Sequence, residues 1–99
     1  MTDIDKAAST LLDAAERIRK AGAEHGDCSG SFSMLADMWT SYISHACSVR
    51  SDHKLRPADV AQMLAMLKIV RSIYGNSHDN FVDQAGYTAL ASMLIIPGA

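Results

Sequence analysis

Ninety-nine residues, 48% of them apolar and 20% charged, describe one small globular domain and argue against a disordered chain. Nine basic and eleven acidic side chains leave a net charge of −2, which offers no basic field for a nucleic-acid backbone or an anionic membrane. No apolar run approaches the roughly 20 residues that span a bilayer. The acidic opening Met1-Thr2-Asp3-Ile4-Asp5 lacks a signal-peptide core, and two cysteines, Cys28 and Cys47, suit a reducing compartment, so a cytoplasmic domain is expected.

Abundant Ala, Leu and Met with few aromatics favour helices over strands. The first predicted helix covers about 3–20, with Ile4, Ala7, Ala8, Leu11, Leu12, Ala15 and Ile18 as its apolar stripe. Asp13 with Arg17, and Glu16 with Lys20, are spaced four apart, acid first, as exposed intrahelical pairs. Gly22, Gly26 and Gly30 predict a loop over Ala21 to Gly30. The second helix, about 32–49, carries Phe32, Leu35, Trp39, Tyr42, Ile43 and Ala46 on one face, with Ser31 as its N-cap. A polar connector from Arg50 to Lys54 follows.

The third helix, about 57–74, starts at Pro57, which tolerates the first turn, and stops at Gly75-Asn76. It is apolar on most sides (Val60, Ala61, Met63, Leu64, Met66, Leu67, Ile69, Val70 and Ile73), the mark of a central helix or of one shared with a second subunit. The fourth helix, about 78–94, begins near Ser77, with Asn80 completing a loose capping box and Val82, Ala85, Ala89, Leu90 and Met93 facing inward. The expected fold is a single all-α domain over 1–99, a four-helix bundle completed by oligomerisation, because so small a core gains from burial across an interface. The six methionines suit either an interface or plain core filling.

For chemistry, the chain has no Gly-x-Ser-x-Gly elbow and no phosphate-binding Walker loop. His25-Gly26-Asp27-Cys28 and His45-Ala46-Cys47 look like two zinc-ligand pairs, but residues two apart on a helix point about 200° apart and do not grip one ion. The informative stretch is Lys68 to Tyr87. Lys68 and Arg71 share one helical face; Asp79, Asn80 and Asp83 converge on a face of the next helix, with Tyr87 one turn further on. Two carboxylates one turn apart suit a hard divalent cation, and the neighbouring cations suit nucleotide phosphates. The same residues also suit a purely structural role, with Asp79 stabilising the helix dipole and Lys68 or Arg71 bridging to Asp83.

Lys68-Ile69-Val70-Arg71 followed by His78-Asp79-Asn80-Phe81-Val82-Asp83-Gln84-Ala85-Gly86-Tyr87 resembles a small, mostly phage-encoded family that is similar to the MazG-like all-α nucleoside triphosphate pyrophosphatases. A weaker similarity covers Leu12 to Ile43. The resemblance implies a helical homo-oligomer, a dimer or tetramer, in the host cytoplasm, that cleaves a nucleoside triphosphate with Mg2+. Asp79 and Asp83 would be the catalytic metal ligands, and Lys68, Arg71, His78, Asn80 and Tyr87 would hold the nucleotide. The family's first acidic pair is thin here: Asp37 and Asp59 stand alone, and Asp13-x-x-Glu16 on the first helix is the one acid-x-x-acid candidate. His25 stands where the family commonly has a tyrosine. The reading that results is a nucleotide-binding protein, with or without hydrolysis. Its alternatives are an active Mg2+-dependent pyrophosphohydrolase and a helical assembly protein without a small ligand.

Overall fold

The computed structural model describes residues 2–48, 54–75 and 77–95. These form four α-helices in chain order, α1 (Asp3–His25), α2 (Ser29–Ala46), α3 (Pro57–Tyr74) and α4 (His78–Ile95), and no strand appears among the described residues. The connector expected over Arg50 to Lys54 falls outside the described residues except for Lys54, as do Asn76 and the tail beyond Ile95.

Local chemistry accounts for the helix ends. At the start of α1, the Thr2 hydroxyl accepts from the Asp5 backbone N–H while the Asp5 carboxylate accepts from the Thr2 backbone, a closed capping box. Those bonds hold the Asp5 carboxyl below its ordinary range. α1 runs on through Gly22 to His25, five residues past its expected end. Gly22 is tolerated inside the helix, and the break comes at Gly26, whose φ of 74° needs a residue without Cβ and whose N–H returns to Gly22 O at 2.9 Å. The expected loop therefore shrinks to Gly26–Cys28.

α2 correspondingly opens at Ser29 rather than Phe32, and Ser31 is not its cap. Asp27 instead accepts from both the backbone and the hydroxyl of Ser29, which lowers its carboxyl pKa. α3 carries Pro57 in its first turn, and Asp59 reaches back to the Arg56 backbone at 2.7 Å while Arg56 donates to it from the side chain. Ser77 caps α4 through the Asp79 backbone N–H (3.2 Å). The Asn80 side chain turns to the Gly75 carbonyl rather than closing a capping box.

The helices pack as an open row in the order α1, α4, α3, α2, with the α3–α4 seam the most extensive. The core lies between α2, α3 and α4. Phe32, Ala36, Val60, Ala61 and Ala91 are buried, and Leu35, Trp39, Leu64, Tyr87, Leu90 and Leu94 pack around them. Small residues at Ala36, Ala61 and Ala91 allow close helix approach. Thr40 fastens the entry to α3: its hydroxyl accepts from Leu55 N–H (2.8 Å) while donating to Ala36 O (2.7 Å).

Several expected inner faces are not inner. On α1 the stripe through Ile4, Leu11 and Leu12 stays 65–81% exposed. Ile18 of the expected stripe does dock, together with Ala14, Arg17 and Ala21, on a flank about a quarter turn away. On α2, Tyr42 and Ile43 remain exposed; on α4, Met93 and Ala89 do. α3 buries Ala58, Val60, Ala61 and Ala65 yet leaves Met66, Leu67, Ile69, Val70 and Ile73 exposed.

Candidate functional site

The α1–α4 seam gathers the charged residues. α4 places Asp79 and Asp83 one turn apart on the side facing α1, as their spacing requires. Between them lies the Arg17 guanidinium of α1, donating through Nη2 to Asp79 Oδ1 (2.6 Å) and through Nη1 to Asp83 Oδ1 (3.0 Å). From the opposite flank, α3 sends Lys68 Nζ to Asp83 Oδ2 at 3.2 Å; the lysine side chain is 16% exposed, its stem covered by the α3–α4 packing. A second link sits at the first residue of α4, next to Asp79, where His78 Nε2 meets Asp13 Oδ2 at 2.9 Å.

The Arg17 hydrogen bond holds the Asp79 carboxyl below the usual carboxylate range, with the charges of Arg17, His78 and Lys68 acting in the same sense. The same hydrogen bond raises the Arg17 pKa further. The cluster is thus two carboxylates held by two cations, Arg17 on both and Lys68 on Asp83.

Beside it, a shallow groove of about 160 Å³ runs along the seam. Arg17 and Asp83 stand at its rim, and Ala14, Ile18, Val82, Gly86, Tyr87 and Leu90 form its apolar walls. A Cβ on Gly86 would meet Ile18 Cγ1 at 4.0 Å, an ordinary van der Waals contact across the groove.

Of the residues singled out in the sequence, Asp83 and Lys68 meet directly, Asp79 joins Asp83 through Arg17, and Tyr87 lines the groove while also packing on the core. His78 turns to Asp13. Asn80 braces the α3–α4 turn through Gly75, and Arg71, at the exposed end of α3, forms no ion pair among the described residues. One participant was missed in the sequence, Arg17, while Asp13 stood there as half of the Asp13-x-x-Glu16 acidic pair and not as the partner of His78. Both also read there as an i, i+4 pair, which does not form, nor does Glu16 with Lys20: Arg17 and Asp13 each reach α4 instead. The signal lay in Ala14 and Ala21, whose spacing with Arg17 and Ile18 marks a small-residue face on which one helix approaches another.

Carboxylate oxygens are the right donors for Mg2+, but Asp79 and Asp83 are already bound to Arg17 and Lys68. Among the described residues, no group of three His, Cys, Asp or Glu side chains converges as a metal site. As folded, the residues present do not fit a resident magnesium ion. His45 Nδ1 is bonded to the Ser41 carbonyl (2.8 Å), and burial pushes the half-buried Cys28 thiol pKa up, which makes it a poor nucleophile. No helix among the described residues is long and apolar enough to cross a membrane.

Comparison with curated proteins and with solved structures finds no match. A family model does match, over residues 9–95, which takes in most of α1, all of α2, α3 and α4, and the whole charged cluster. The chain belongs to the family described as a domain of unknown function, DUF6378.

Proposed function

We propose that this domain binds a nucleotide, or a nucleotide-derived phosphate compound, at the α1–α4 seam, with Arg17 and Lys68 taking the phosphates. One observation carries the reading: two cations from two different helices converge on Asp83, which with Arg17 lines an apolar groove, the pairing a nucleotide needs for its anionic and aromatic parts. The MazG-like resemblance of Lys68 to Tyr87 points to the same ligand class. His78 and Arg71 border this end of α3 and α4, and Tyr87 offers a ring to the groove.

At about 160 Å³ the groove is smaller than the roughly 300 Å³ and upward of ordinary ligand pockets, so a nucleotide is accommodated only if α1 shifts. The seam permits that, because its polar links are exchangeable. Phosphate oxygens offered to Arg17 and Lys68 replace the carboxylates as acceptors, and a docked α1 is exchanged for a ligand-bound one. With no resident metal fitted by these residues, binding without turnover is favoured over pyrophosphohydrolysis.

The test is calorimetric titration with a panel of nucleoside triphosphates, deoxynucleotides and cyclic nucleotides, with and without Mg2+, alongside product analysis. Saturable, metal-independent binding that weakens at least tenfold in Lys68→Met, with the ligand recovered intact, is the expected result. No binding across the panel would remove this reading. Pyrophosphate release that disappears in Asp83→Asn would replace it with the enzymatic one.

A further inference from the structure

The two carboxylates of the α1–α4 seam are held differently. Asp83 is engaged on both oxygens, Oδ1 by Arg17 Nη1 at 3.0 Å and Oδ2 by Lys68 Nζ at 3.2 Å. Its side chain is 31% exposed and that of Lys68 16%, so this pair is the sheltered half of the cluster. Asp79 is engaged on one oxygen, by Arg17 Nη2 at 2.6 Å, and its side chain is 67% exposed. Its other oxygen meets no donor among the described residues.

That difference separates two tasks. Removing Asp83 would leave the sheltered Lys68 ammonium without the acceptor it faces, so Asp83 belongs to the packing of the seam. Asp79 does little for docking that other contacts do not already do. Without it α1 is still tied by Arg17 to Asp83, by Asp13 to His78 at 2.9 Å, and by the buried Ala14 and Val82. What Asp79 does is occupy one end of the Arg17 guanidinium. The planar edge of a guanidinium is suited to gripping one anion through two parallel N–H donors, but here its two ends are split between carboxylates on successive turns of α4.

We infer that Asp79 is an internal competitor for the anionic ligand, its carboxylate occupying the Arg17 Nη2 position that a phosphate oxygen takes on binding. The inference rests on the reading that Arg17 and Lys68 receive phosphates, and it adds how that same site is regulated. A ligand meets a competent site only in the fraction of molecules whose Nη2 is free, and its apparent affinity falls by that fraction. Asp79 is the acceptor that yields first, because it is the exposed one and is held by a single link. The sign is opposite to that of a metal ligand. A carboxylate that coordinates an ion is needed for binding, whereas a competing one holds binding back.

Titration calorimetry in EDTA tests this, with the nucleotide panel and inorganic pyrophosphate as probes. The proteins are wild type, Asp79→Asn, Asp13→Asn and Lys68→Met. Asp79→Asn keeps the side chain's shape on an exposed residue, so helical circular dichroism should be retained. Affinity for the probes that bind should rise roughly two- to fivefold, the scale on which an exposed ion pair acts. Asp13→Asn takes an equal charge from the same seam and weakens the His78 link, but leaves Arg17 on both of its carboxylates. It should raise affinity by less. Unchanged or weaker binding in Asp79→Asn, where wild type binds and Lys68→Met binds more weakly, overturns the inference and leaves the nucleotide reading standing. Equal gains in Asp79→Asn and Asp13→Asn overturn it as well, since lost charge or a loosened helix then suffices. No binding of any probe by wild type or by Asp79→Asn removes the nucleotide reading, and the inference falls with it.

Discussion

α4 is bounded by two seams of opposite character. Toward α3 it meets a core of Val60 and Ala61, which Phe32 and Ala36 of α2 complete and from which water is excluded; Val60 and Ala61 are 0% exposed. Toward α1 the buried apolar residues are Ala14 and Val82, and the rest is Arg17 bridging Asp79 and Asp83 with His78 on Asp13. Apolar burial supplies free energy in proportion to area and has no fixed geometry. Solvent-accessible ion pairs supply little, but they fix orientation and can be traded for other ions. The first seam therefore holds the fold together, and the second positions a helix and can let it go.

The contrast is broken most severely from the apolar side. Phe32→Ala empties the one aromatic ring that is buried in the core among the described residues and should cost about 3–5 kcal/mol, a large share of what a domain this small possesses. Urea denaturation monitored by circular dichroism should show the midpoint falling sharply, with α1 lost together with the rest. A loss well under 1 kcal/mol would mean that the interface between α2, α3 and α4 is not the stability-determining one.

The charged seam should respond more weakly and locally. Arg17→Ala removes both links to α4, so hydrogen exchange should quicken across α1 while α3 amides keep their protection. Added salt should do the same in the wild type. Acid gives the sign. The folded Asp79 carboxyl titrates below its unfolded value of about 3.8, so its contribution is complete above that value and drains away as pH falls through the lower folded one. Protection of α1 should accordingly fail at acid pH before that of α3, and Arg17→Ala should flatten this dependence. Uniform exchange in all four helices at every pH would erase the distinction between the seams.

The two seams also differ in how legible they were. Four helices and no strands followed from composition and periodicity, and Pro57 and Gly75 bound α3 because one cannot donate and the other cannot hold a helix against solvent. Lys68 meeting Asp83 was within reach of spacing alone, as the structural alternative for those residues. α1 misled, because its strongest apolar stripe, through Ile4 and Leu11, does not dock; a weaker flank with Ala14 and Ala21 does. Periodicity assigns the apolar face to whatever buries it and is silent on whether that partner is the same chain. Arg17 escaped for a related reason: a local i, i+4 partner is always visible in a sequence, whereas one 62 residues away becomes visible only with the fold.

The smallest effect bears on the comparison most directly. Gly22 lies inside α1, where it pays full backbone entropy, and a Cβ placed on it meets nothing within 4 Å. Gly22→Ala should therefore stabilise α1 by about 0.5–1 kcal/mol, whereas Gly26→Ala, at a φ of 74°, should weaken the helix end. Where that gain appears depends on how the seams couple. If α1 opens on its own, Gly22→Ala should raise protection of α1 amides and leave the urea midpoint nearly unmoved, because global unfolding is governed by the core around Val60. If the midpoint rises by the full amount instead, α1 unfolds only with the core, and a ligand reaching Arg17 would have to work against the whole fold rather than against one helix.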